Sequence, residues 1–215
     1  MSDDETTPPG GRDQATGVTP PPEDVLVLDP PRLRALAHPL RVRLLGLLRL
    51  HGPSTATRLA ARVGDSSGST SYHLRQLAAA GLVAEDPAHA GGGGRERWWR
   101  AVHTSTRLDT FFTGDDAVVT VEYLRAIAAV NTTKMQEWLA VELDATAPWR
   151  SAATFSDVTV SLTPAAAEEL GEAVIELAQE AERRHGDEPG ARKVAVQVQV
   201  LPQLTVGDGD DGDAS

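Results

Sequence analysis

Four short segments with helical apolar spacing follow one another between Pro30 and Ala80. Each is closed by a Gly or Pro signal, and this order constrains the fold more than any other feature of the chain. Pro30 and Pro31 suit a helix start, and Leu33, Leu36 and Ala37 give the first segment a short apolar stripe. Pro39 biases His38 away from helix and so sets off a second segment. That segment carries Leu40, Leu44, Leu45, Leu47 and Leu48, with Arg41, Arg43 and Arg49 interleaved. So wide a stripe predicts a core helix, ended by Gly52 and Pro53. A third helix is expected from about Ala56 to Val63, with Thr55 as its N-cap and Leu59, Ala60 and Val63 facing inward. After a Gly64-Asp65-Ser66 turn, a fourth is expected from about Gly68 to Ala80. Ser66 or Ser67 caps it, and Gly81 suits a left-handed residue just past its end.

The period then changes. Leu82 to Glu85 reads as a short strand, Pro87 to Gly94 as a flexible loop with four consecutive Gly, and Arg95 to Val102 as the returning strand. Glu96, Trp98 and Arg100 share one face of that strand, and Arg97, Trp99 and Ala101 the other, so one of the two adjacent Trp must face the core. Helix, turn, helix, then a β-hairpin is the order of a winged helix-turn-helix domain, expected over residues 30–105. Residues 106–203 predict a long helix from about Asp116 to Leu143, followed by a small β-α-β unit. Its strands are Val158-Val160-Leu162 and Val194 to Val200; its helix starts at Thr163-Pro164 and ends near Gly186. Such a unit is too small to bury both faces alone, so it is expected to pack on the long helix or on a second copy of the chain, and the region as a whole to dimerise. The expected class is α+β, mainly helical. The acidic stretches 1–24 and 207–215 hold almost no apolar residues and predict disorder.

Charge narrows the function. The chain carries −11 overall, yet residues 31–107 hold twelve Arg against four acidic residues, a local +8. A concentrated basic footprint matters more for phosphate binding than the total does. Cysteine is absent, which excludes disulfides, thiolate metal sites and cysteine nucleophiles. The six His show no i, i+4 ligand pairing, so neither a metal nor another cofactor is expected. No G-x-S-x-G elbow precedes a helix after a strand, no P-loop appears, and no catalytic grouping can be named. No apolar run approaches the ~20 residues of a membrane span. The Pro-rich acidic start is no signal peptide, and a cytoplasmic, nucleoid-associated location is expected.

Ser66 to Val83, SSGSTSYHLRQLAAAGLV, is the most informative stretch. A recognition helix presents short polar groups and a few long ones near its N-terminus. The outer face here offers Ser69, Thr70, Tyr72, His73, Arg75 and Gln76, while Leu74 and Leu77 anchor the inner face. Arg can pair bidentately with guanine and Gln with adenine, and Ser and Thr reach phosphates or base edges. The helix N-terminus itself favours a phosphate. With Ser67 and Ser71, and with Arg95 and Arg97 on the hairpin, these are the candidate DNA contacts. Trp98 and Trp99 are expected to pack rather than stack on bases.

The segments HPLRVRLLGLL, TATRLAARVGDSSGSTSYHLRQLAAAGLV and GRERWWRA resemble the ArsR-like winged helix regulators of bacteria, over about Leu33 to His103. The resemblance implies a homodimer on double-stranded DNA with a palindromic operator, usually acting as a repressor. The positions matching Ser69 to Arg75, Arg95 and Arg97 would touch DNA. The chain departs from the metal-sensing members, which carry paired Cys in the helix that here reads TATRLAARV. For a controlling signal, Phe111, Phe112, Trp138, Trp149 and Phe155 are the residues available for an apolar effector pocket, with plain core packing as the alternative. A winged helix serving as a protein-interaction module is the reading from another class, and the basic charge argues against it.

Overall fold

A computed structural model describes residues 25–89, 97–108, 112–141 and 145–203, and divides the chain into two compact units that meet in sequence at Ile127 and Ala128. In the first unit the expected helices form close to their expected bounds: α1 Pro30–Leu36, α2 Pro39–His51, α3 Ala56–Val63 and α4 Ser67–Ala79. Each begins on a side-chain cap, which supplies an acceptor for an orphan backbone N–H of the first turn. Asp29 accepts from Arg32 N at 2.9 Å, His38 Nδ1 from Leu40 N at 3.1 Å, Thr55 from Arg58 N at 3.4 Å and Ser66 from Ser69 N at 3.1 Å. Gly64 and Gly81, at φ 73° and 71°, turn the chain after α3 and α4 through the left-handed region where a Cβ would be strained.

The apolar stripes converge. Leu33, Leu36, Leu44, Leu59, Leu74, Leu77 and Leu82 are fully buried and come from all four helices and the turn that follows them. Full burial of each Leu contributes roughly 1.5–3 kcal/mol. The hairpin β3 Val83–Glu85 and β4 Trp98–Ala101 pairs antiparallel, with Glu85 opposite Trp99. The short β2 Ser54–Thr55 adds to the other edge of β4, giving the order β2-β4-β3. Trp99 is the Trp that enters the core. The tetraglycine tip and Arg95 lie outside the described residues.

Two small elements lacked a sequence signal. β1 Val25–Val27 pairs in parallel with β5 Ser105–Arg107, and Leu28 beside it is buried. Each run is only three residues long, too short for periodicity to declare it. α5 Asp115–Val141 begins in the first unit, where Thr120, Tyr123 and Ala126 are buried. Arg49, half-buried near the end of α2, donates through Nε to the His103 carbonyl at 3.0 Å, and burial pushes its guanidinium pKa down to about 10.

Thr55 is almost fully buried and caps α3 from the edge of the wing sheet. Thr55→Ala is therefore expected to cost about 1–2 kcal/mol, read as a lower midpoint in denaturant melts with an unchanged slope.

The second unit contains the remainder of α5, α6 Ala147–Ala152 and α7 Pro164–His185. Thr163 caps α7, accepting from Ala166 N at 3.3 Å with Pro164 at the first helical position, as expected. The β-α-β expectation needs correction: neither Val158-Val160-Leu162 nor Val194 to Val200 forms a strand. A strand exists through backbone bonds to a neighbour, and these two segments have none among the described residues, so alternation alone does not make them a sheet. The aromatic residues considered for a pocket are dispersed. Phe112 packs on the core of the first unit, Trp138 meets Phe155 at 5.8 Å, Trp149 meets the Arg192 guanidinium at 5.6 Å, and Phe111 lies outside the described residues. No described helix is long and apolar enough to cross a membrane.

Candidate nucleic-acid interface

α4 is seated by Leu74 and Leu77, and this fixes where its other side chains point. Ser67, Tyr72 and Arg75 are exposed, while Ser69, Ser71, His73 and Gln76 are half-buried. Thr70 departs from the outer-face expectation: it is fully buried, its hydroxyl lacks a hydrogen-bond partner, and it lies one turn before Leu74 on the core side. The short polar residues of the stretch are alike in composition, so only packing separates Thr70 from its neighbours.

An open groove of about 570 Å³ brings together Ser71 and Arg75 of α4, Arg97 and Trp99 of the wing, and Thr55, Ala56 and Thr57 at the start of α3. Three of the residues expected to touch DNA thus line one concavity. Thr57 was not foreseen as part of it. The cap at Thr55 marks a helix N-terminus, where N–H groups favour an anion, but sequence spacing does not bring that terminus beside Arg75. Arg75 forms no ion pair among the described residues, whereas Arg97 lies 3.3 Å from Glu85 on the partner strand. Gln76 lines a different concavity of about 270 Å³, with Arg34 and Arg41.

At the N-terminus of α4, Asp65 accepts from Ser66 N at 2.7 Å and from the Ser69 hydroxyl at 2.8 Å. The Ser69 hydroxyl holds the Asp65 carboxyl below its ordinary value, assisted by the Ser66 N–H. The anion seat at this terminus therefore already has a carboxylate beside it. The wing is braced from outside the groove. Arg58 lies over the Trp98 ring at 4.7 Å, His89 stacks on the same ring at 5.2 Å, and His89 Nδ1 lies 2.9 Å from Asp86. Trp98 is thus a packing residue, as expected. Among the described residues no group of three or more His, Asp or Glu side chains is placed to hold a metal ion.

The family model described as a helix-turn-helix domain matches residues 36–86, the span from the end of α1 through α4 and β3. Residues 36–86 are a helix-turn-helix domain. With the hairpin that continues it, the fold is that of a winged helix. Among solved structures, a possible transcriptional regulator for arsenical resistance is 28% identical and covers 54% of this chain and 96% of its own, with a TM-score of 0.28. RV1404 from Mycobacterium tuberculosis is 18% identical, covers 75% of this chain and 86% of its own, and has a TM-score of 0.29. ZitR from Lactococcus lactis, in a mutant form, is 14% identical, covers 66% and 73%, and has a TM-score of 0.26. Likenesses at such low TM-scores carry no weight, and the helix-turn-helix assignment rests on the matched segment and its fold. No curated protein matches the chain.

His73 ties the recognition helix to α2 rather than facing the groove. Its ring lies 4.5 Å from that of His38 and 5.3 Å from Tyr72, and its Nδ1 is buried without a partner. Burial, then His38 and then Arg41 lower its pKa, against a smaller opposing pull from Asp65. A histidine whose folded pKa lies below its unfolded value contributes stability above about pH 6.5, and that stability is lost as pH falls through the folded value. The melting temperature is therefore expected to fall as pH is lowered from neutral through 6 to 5. His73→Gln should flatten that slope, and an unchanged slope in the variant would remove His73 as its source.

Proposed function

We propose that the chain is a homodimeric transcriptional regulator that reads a palindromic operator, and that it represses by occupying that site. The observation that carries the proposal is the groove in which Ser71 and Arg75 of the recognition helix face Arg97 of the wing, within a +8 segment of an otherwise acidic chain. In this reading Arg75 addresses base edges in the major groove. Ser71 and the start of α3 hold phosphates, Ser67 and Ser69 border them at the α4 terminus that Asp65 already occupies, and Arg97, with Arg95 beyond the described residues, follows the adjacent backbone. Tyr72 is exposed and available to the same face, while His73, Gln76 and Thr70 support the helix from behind. The exposed apolar face of α5 in the first unit, Val118, Val121 and Leu124, is the contact that places two readers side by side. The site of action is the bacterial nucleoid, in the cytoplasm.

The test is a titration of double-stranded DNA from the chain's own upstream region at several salt concentrations. Binding is expected to weaken linearly in log–log form with added salt, at two protomers per site. Absence of a shift at low salt, with the folded protein confirmed, would overturn the proposal.

A further inference from the structure

A second concavity lies on the flank of α4 that meets α1 and α2. Arg34 reaches it from α1, Arg41 from α2 and Gln76 from α4. Ala35, Ala79 and Ala80 share the lining, and their small side chains leave the space open. At about 270 Å³ it falls just below the roughly 300–1,000 Å³ of pockets that take drug-sized ligands, so an occupant must be small. No residue of the wing borders it, and neither Arg75 nor Arg97 does.

We infer that this concavity is a seat for a small free oxyanion, a phosphate or carboxylate group, held by Arg41 and Gln76 with Arg34 beside them. Charge is the first support. The lining contains two guanidinium groups and no carboxylate. Asp116 of α5 pairs with Arg34, whereas Arg41 has no ion pair among the described residues. The donors are the second. Arg41 Nη2 donates to the Arg34 carbonyl at 3.1 Å, which fixes the guanidinium against the end of α1. Its Nε is buried and meets no acceptor, and the Gln76 side-chain amide makes no hydrogen bond among the described residues. A buried donor without an acceptor is costly, and a charged one more so. Burial lowers the pKa of Arg41, against a smaller opposing pull from Tyr72, so this cation is partly stripped of water without a counter-charge. A small oxyanion supplies what is missing. It neutralises the guanidinium, accepts from it in the planar geometry arginine favours, and accepts a further bond from the Gln76 amide. Because Arg41 and Gln76 stand on different helices, an anion held by both ties α2 to the recognition helix.

The first test contains no DNA, so its failure leaves the reading of Arg75 and the wing untouched. Inorganic phosphate and acetate are titrated separately into the isotope-labelled full chain, with chloride keeping the ionic strength constant. With at least one of them, the backbone amide signals of Arg41 and of Gln76 to Ala80 are expected to move along a saturable curve, with a dissociation constant on the order of 1 mM. Arg41→Gln is expected to raise that constant by about tenfold or more, and Gln76→Leu by about threefold. The Gln76 variant decides even where the Arg41 variant fails to fold. A DNA backbone is the other source of phosphate, and the salt dependence of DNA binding separates the two. Arg41→Gln is expected to leave that slope unchanged, and a slope lower by about 1 would give the seat to a backbone phosphate and overturn the inference. Shifts that stay linear in concentration for both anions, or the same midpoint in the natural chain and both variants, would overturn it as well.

Discussion

Arg75→Ala is expected to raise the dissociation constant for operator DNA by about 10- to 100-fold while leaving the melting temperature within a degree or two. The size follows from the loss of one bidentate base contact, worth about 1–3 kcal/mol. The selectivity of the effect follows from geometry. Arg75 is exposed, makes no ion pair among the described residues and lines the groove, so its removal costs the fold little. Arg97→Ala is expected to behave differently. Arg97 is shared with Glu85 at 3.3 Å on an exposed hairpin, so its loss should weaken binding evenly across sequences and lower the salt slope by about 1. Anisotropy titrations of both variants against matched and scrambled DNA separate the two roles. Equal losses on both DNAs for Arg75→Ala would remove it from base reading.

Leu74→Ala is expected to cost about 3 kcal/mol and on the order of 15 °C in melting temperature. Leu74 is fully buried where α4 meets the core shared by α1, α2 and α3. Truncation leaves a cavity that helices fixed by caps at both ends of the motif cannot close. Against a total stability of 5–15 kcal/mol for a domain, that is a large share. Binding should fall with stability, because the same side chain sets the pitch of Arg75 and Ser71 against the wing. Leu74→Met, close in volume, should cost less than about 1.5 kcal/mol and retain binding. A near-neutral Leu74→Ala would mean that α4 is not anchored as described.

The helices of the first unit were legible because each carries its own punctuation. Thr55 and Ser66 cap, Pro30, Pro31 and Pro39 start, and Gly52, Gly64 and Gly81 stop; the caps at Asp29 and His38 emerge only in the structure. The wing was legible through Trp98 and Trp99, whose adjacency forces one inward. The interface was legible in kind but not in detail. Thr70 and Ser71 are chemically close neighbours, yet one is buried beside Leu74 and the other lines the groove, a difference set by the rotation of α4 on its core. Thr57 entered the groove because β2 pairs with β4, a two-residue contact with no sequence period. The strands expected around Val160 and Val196 failed for a different reason. Alternation predicts a face to be covered but does not supply the neighbouring backbone, and the single chain supplies none among its described residues.

The central claim is that α4 and the wing read a two-fold DNA sequence. Selection from a random double-stranded pool by the full-length protein, followed by sequencing of the retained DNA, tests it most directly. The expected product is one enriched motif with two inverted half-sites about 10 base pairs apart centre to centre, or a multiple of that spacing, and it should disappear when the selection is repeated with Arg75→Ala. Retained DNA with no enriched motif, or the same motif recovered by Arg75→Ala, would contradict it.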